Sequence, residues 1–306
     1  LTNWSQVRIL CDPPVMNEYL NTFKQSFSKD SFLASIFFFF ILSSWYTLRP
    51  LRNELAVQDI DNISLLLAMV GIGMLFANLI YSWVASKTNL KQLLIFCYLF
   101  LASNLIIFIN LDFSSSVWLG RSFYVWCNIY SFFVVAIFWV VAINLFRQNK
   151  ARQYFGFISF GGTIGAAFGS RLSKYIATNF STNPSCFRVS CSPEIDISAF
   201  AIFTLGLLIT GLLIGIFCIT RTKSDGIILG GSAKDAFKYL FNASDVRKLA
   251  FYMFLFTALM SIHWITSAMI FKETIENEVE RVSLFADMEL TVSILAGFIQ
   301  IFLTFK

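Results

Sequence analysis

Charge is scarce in this sequence. Only 13% of its 306 residues are Asp, Glu, Lys or Arg, and mean hydropathy is +0.70, whereas soluble domains carry about 25% charged residues. So little polar surface cannot cover a core of this size in water, which leaves lipid as the solvent for the excess. Histidine occurs once, as His263, and nothing has the His/Glu spacing of a metal site, so neither metal nor cofactor is expected. The apolar stretches contain no carboxylate pair and no nucleophile–base pair, which argues against a membrane enzyme. Residues 249–271 lack the central lysine that a retinal protein needs. No segment alternates apolar and polar residues over the length of a barrel strand, so the spans are helical.

What is present is apolar residues in runs. Hydrophobic types make up 57% of the chain and Phe alone occurs 36 times. A helix crossing the hydrocarbon needs roughly 20 apolar residues, and seven stretches qualify: 31–48, 62–85, 92–111, 122–146, 153–178, 197–220 and 249–271. An eighth begins near Glu289 and is still apolar at Phe305. The expected fold is an all-α, polytopic membrane bundle of major-facilitator-like design, with seven complete transmembrane helices and part of an eighth. Residues 1–30 form an N-terminal tail, 31–220 a six-helix bundle, 221–248 a basic linker, and 249–306 the start of a truncated second bundle. Within the tail, no Met precedes Met16, and QVRIL at Gln6–Leu10 matches an in-frame translation of a transfer-RNA T-arm. Residues 1–15 are therefore either non-coding sequence or an ordinary tail, and the upstream DNA distinguishes the two.

Positive charge is asymmetric. Lys and Arg number 14 on the side holding the N-terminus and the 2–3, 4–5 and 6–7 connections, against 8 on the other. The positive-inside rule puts the N-terminus and the linker in the cytoplasm of a multi-pass protein, with the bacterial inner membrane as the expected location. Lipid is thus one partner, and the net charge of +5 requires no nucleic acid. Six helices, a basic cytoplasmic linker and further helices form the layout of a two-half secondary transporter. Cys186 and Cys191 share the 5–6 connection on the other side, where a local disulfide and two free thiols are both allowed.

Polar residues punctuate the spans at few places. The first ends WYTLRPLRNE, where Arg49 and Arg52 flank Pro50 and share a helix face, as two anion ligands would. The alternative is a pair of interfacial anchors, or braces for carbonyls freed by a break at Pro50. Asn128, Ser131 and Asn144 mark the fourth span, with Arg121 at its end; such amides are either interhelical glue or cavity lining. Gly161, Gly165 and Gly169 repeat every fourth residue in the fifth, a bare strip for a neighbouring helix. In the eighth, Glu289 is expected at the interface and Gln300 along a cavity.

LRPLRNE, GRSFYVWCNIYSFFVVAIFW, ARQYFGFISFGGTIGAAFGS and RVSLFADMEL, in this order, resemble the bacterial ATP:ADP antiporter (nucleotide transporter) family, a branch of major-facilitator-like carriers. The resemblance implies twelve helices, four beyond those seen here as missing C-terminal partners, and a small anionic solute, ATP or ADP among the candidates. Proven exchangers read L-R-x-x-K-D where this chain has Leu48, Arg49, Arg52 and Asn53, with Glu54 one place later. Asn144 likewise stands where relatives often have Asp. The residues carried into a substrate site are Arg49, Arg52, Glu54, Arg121, Asn128, Asn144 and Gln300, with Arg52 as anion ligand and Arg49 as brace. The competing readings are a seven-helix receptor or sensor and a major-facilitator carrier of a non-nucleotide.

Overall fold

In the computed structural model, residues 28–113, 116–146, 151–180, 195–222 and 242–304 are described. The tail, most of the linker and both Cys186 and Cys191 lie outside these residues. The described residues form eight α-helices in chain order: α1 Lys29–Gln58, α2 Ile63–Ala85, α3 Leu90–Ile109, α4 Val117–Leu145, α5 Ala151–Asn179, α6 Ile197–Arg221, α7 Ser244–Thr274 and α8 Glu278–Thr304. There is no strand among them. All but α5 are long and apolar enough to cross a membrane, and the chain is a multi-pass, all-α membrane protein.

Polar residues set the helix starts. Ser28 opens α1 with a capping box to Ser31, and Asn89 does the same for α3 with Gln92. Asp196 accepts the backbone N–H groups of Ser198 and Ala199 at the start of α6. Each cap satisfies donors that a helix start leaves free, which is costly to omit where water is excluded.

The α1 helix is the axis of the bundle. It contacts α4, α5, α6, α7 and α8, and Phe37, Ile41, Leu48, Leu51 and Ala56 are almost wholly buried along it. It does not end at Pro50, as the sequence suggested, but continues eight residues to Gln58. A proline removes one helical hydrogen bond and disfavours continuation. In the middle of a bundle, packing against neighbouring helices outweighs that loss. The continuation carries Arg52, Asn53 and Glu54 into the helix interior.

Opposite this axis, α5 lies along α1 on its glycine strip. A Cβ at Gly161 would meet the Ser35 carbonyl oxygen at 2.8 Å, one at Gly165 the Phe39 Cα at 2.8 Å, and one at Gly169 the Ser43 carbonyl oxygen at 2.5 Å. Backbone therefore meets backbone over two turns, with Ser43 donating to the Gly165 carbonyl at 3.0 Å. The small and polar residues that bring the helices this close also explain why α5 alone of the eight lacks an apolar stretch long enough to cross a membrane. Replacing Gly165 with Val should force the helices apart and cost about 1–3 kcal/mol, read as a lower melting temperature in detergent. Val at Gly206, which has open space around it, should change little.

The periphery is thinner. On α2 only Leu66 and Val84 are buried, and on α7 only Ala268. Leu75, Phe76 and Ile80 on one, and Phe251, Phe254 and Leu259 on the other, are exposed, as suits faces turned to lipid. At its C-terminal end α7 closes onto α1 and α8, where Ala268 packs with Val57, Ile60 and Phe285.

Candidate functional site

The charges of the helical core gather at one end of the bundle, where the C-terminal half of α1 meets α4, α5 and α8. The α8 helix starts at Glu278, well before the apolar run near Glu289, and its first turns carry charges that α1 and α5 neutralise. Arg281 donates to Glu54 from Nη2 at 2.6 Å and from Nε at 2.9 Å. Both side chains are buried, at 8% and 0% exposure. The remaining Arg281 nitrogen, Nη1, donates to the carbonyls of Ile275 and Glu276, and Gln58 donates to Glu54. Forked geometry and a full set of partners are what a buried ion pair needs to offset desolvation.

Two turns further into α8, Glu289 accepts from Arg49 Nε at 2.9 Å. Arg49 Nη1 also donates to the Tyr46 hydroxyl at 3.0 Å, and the guanidinium lies 5.1 Å from the Tyr46 ring centre. Tyr46 is itself held by α5, because its Cβ packs against Gly169. The glycine strip thus reaches the site: it seats the tyrosine that orients Arg49. Neither partner of Arg49 is a carbonyl freed at Pro50, since the helix runs through that residue.

Arg52 differs from its neighbours. Its Nη1 donates to Asn128 Oδ1 at 3.2 Å and its Nη2 to Asn53 Oδ1 at 2.7 Å, and its guanidinium covers the Trp45 ring at 5.3 Å. Both acceptors are neutral amides. No carboxylate among the described residues pairs with it, and its buried Nε has no hydrogen-bond partner. Asn128 is oriented by donating its own amide to the Tyr124 carbonyl at 2.8 Å. A guanidinium so placed, with a donor unused, has the charge and the free N–H that an anion ligand requires.

The other predicted residues lie elsewhere. Arg121 is engaged in a bidentate pair with Asp59, at 2.7 and 3.2 Å, and lies over Trp118. This ties α4 to the end of α1 beside a cavity of about 420 Å³ lined in part by Gln58, Asp59, Tyr124 and Glu278. Asn144 is 16 residues beyond Asn128, about 24 Å along α4, and donates to the Val140 carbonyl of its own helix. Gln300 accepts from Thr163 at 2.8 Å and joins α8 to α5. Lys174 and Asp287 make a second α5–α8 tie at 2.6 Å, and Lys272 and Asp61 join α7 to the turn after α1. Arg49, Arg52 and Asn128 thus converge, Glu54 is engaged separately by Arg281, and Asn144 and Gln300 occupy other levels of the bundle.

Sequence reasoning passed over Arg281 and gave Glu289 only an interfacial place. The signal was there: Arg281 and Glu289 stand eight residues apart in a largely apolar stretch, able to meet Glu54 and Arg49 from an antiparallel helix. No metal-binding group of His, Cys, Asp and Glu occurs among the described residues.

Asp59 lies between α1 and α2. Hydrogen bonds from Arg121, and secondarily from Asn62, hold its carboxyl below the ordinary range against the desolvation that would raise it. A depressed folded pKa means the contribution is present above the unfolded value, about 3.9, and is lost as pH falls through the folded one. Acidification below about pH 4 should therefore loosen the α1–α4 tie. In detergent, the melting temperature of the wild type should fall more steeply in that window than that of Asp59→Asn.

No family model matches the sequence, and no curated protein matches it either.

Proposed function

We propose that this protein is a secondary carrier of major-facilitator-like design that moves an organic anion, with ATP and ADP among the candidates, by alternating access. One observation carries the reading: Arg52, inside a membrane helix bundle, has two amide partners, an unused buried donor and, among the described residues, no carboxylate paired with it. Charges within spans are costly and mark pathways when they lack a partner. Arg52 is the primary anion ligand, Arg49 adds a second positive charge on the same helix face, and Asn128 sets the rotamer of Arg52. Arg121 and the Glu54–Arg281 pair act as braces, a change from the substrate roles expected of Arg121 and Glu54 in the sequence. The positive-inside count supports a cytoplasmic N-terminus in a bacterial inner membrane.

Uptake by proteoliposomes carrying the full-length protein tests the reading. The panel is labelled ATP, ADP, phosphate, malonate and glutamate, each with and without unlabelled anion inside. Saturable uptake of at least one, dependent on Arg52, is the expected result. Uptake of none, or uptake untouched by Arg52→Gln, overturns it.

A further inference from the structure

Two guanidiniums and one carboxylate meet between α1 and α8. Glu289 is 13% exposed and bonded to Arg49, and it lies within electrostatic reach of Arg52 as well. Arg49 and Arg52 are three residues apart on one helix, so their Cβ atoms are about 5–6 Å from each other. The groups facing them are the rings of Trp45 and Tyr46, the amides of Asn53 and Asn128, Tyr124 and Cys127 of α4, and Glu289. Glu289 is the one acid in that set. The cluster therefore carries a net charge of +1 with its own carboxylate in place.

We infer that Glu289 is a built-in competitor occupying half of the anion site, so that the site accepts anions carrying two charges at one end and discriminates against singly charged ones. The inference rests on the anion-carrier reading and adds a charge threshold to it. A monoanion that takes Arg49 from Glu289 exchanges one carboxylate-like partner for another and leaves Glu289 unpaired in a poorly hydrated place. It gains nothing, and is left with Arg52 alone. A dianion spanning both guanidiniums neutralises the whole positive pair, and the stronger charge-assisted contacts offset the release of Glu289. Discrimination comes from the repulsion between a bound anion and a carboxylate that only a stronger competitor can move.

The test uses the full-length protein in nanodiscs at about pH 8, where phosphate monoesters are dianions because their second pKa is near 6. Two matched pairs of probes differ by one charge: methyl phosphate against dimethyl phosphate, and malonate against its monomethyl ester. Infrared difference spectra should show a shifted carboxylate band when methyl phosphate or malonate binds the wild type. That band should be absent with the singly charged partner of each pair and absent in Glu289→Gln. Titration calorimetry should show methyl phosphate binding roughly tenfold tighter to Glu289→Gln than to the wild type. If that variant fails to fold, the wild-type spectra decide the question by themselves.

Binding of methyl phosphate or malonate that depends on Arg52 but leaves every carboxylate band unmoved overturns the competitor role and leaves the carrier reading intact. Equal affinity of the wild type for both members of each pair does the same. No binding of any of the four overturns this inference, while the carrier reading is judged separately by the uptake panel. Shared response to both pairs supports a general dianion site; response to methyl phosphate alone narrows the site to phosphate groups.

Discussion

Arg52→Gln is expected to abolish anion uptake while leaving a folded, more heat-resistant protein. The two effects have opposite signs because Arg52 is a buried charge that makes no ion pair. It has two amide acceptors and a bare Nε, so folding bears its desolvation with no bonded carboxylate and only the field of Glu289 to offset it. Removing the charge removes that penalty, and glutamine can still bond Asn128 or Asn53. The anion loses its main ligand: truncating one member of a desolvated charge pair costs about 2–5 kcal/mol, so affinity should fall by at least roughly 30-fold. Arg52→Lys should keep the folded level and bind with intermediate strength, because an ammonium retains the charge but not the planar fork. Uptake assays paired with melting curves check both halves. A variant that transports normally, or one that fails to accumulate in folded form, would show that Arg52 is not the ligand.

Arg281→Met should be the most damaging single change to stability. Glu54 has 0% exposure, and Arg281 supplies its strongest bonds. Breaking a buried pair strands one charge and costs about 3–5 kcal/mol. The same substitution frees the carbonyls of Ile275 and Glu276 at the α7–α8 turn. The double variant Glu54→Leu/Arg281→Met strands nothing and should recover most of the loss, since well-packed apolar groups can replace a buried ion pair. Melting in detergent of both single variants and the double variant forms the cycle. A double variant as unstable as the worse single one would mean that the pair fixes the α1–α8 geometry in a way no apolar packing reproduces.

Those two residues respond differently although both are arginines in apolar surroundings, and their sequence context hardly separates them. Arg52 stands in a segment that already suggested an anion ligand, with Pro50 and Arg49 beside it. Arg281 stands in RVSLFADMEL, which read as the approach to a helix starting at Glu289. Apolar run length is a sound guide to spans only while charges lie outside them. Where two helices neutralise each other's charges, the helix extends through the charged stretch, as α8 does from Glu278 and α1 does past Pro50 to Gln58.

The sequence by itself determined the solvent and the class: scarce charge and runs of about 20 apolar residues leave helices in lipid as the only arrangement that satisfies every backbone group. It also determined the glycine strip, because a four-residue repeat lies on one helix face whatever the neighbour is. Only the tertiary structure decided that this neighbour is α1, and that Gly169 thereby holds Tyr46 against Arg49. It alone decided that Arg121 is engaged by Asp59, that Arg49 is engaged by Glu289, and that Arg52 is left without an ion pair. The physical reason is the range of the interactions. Hydropathy and periodicity are properties of consecutive residues, whereas neutralising a charge depends on a partner that lies 227 positions away for Arg281, and no local pattern fixes which acid that will be.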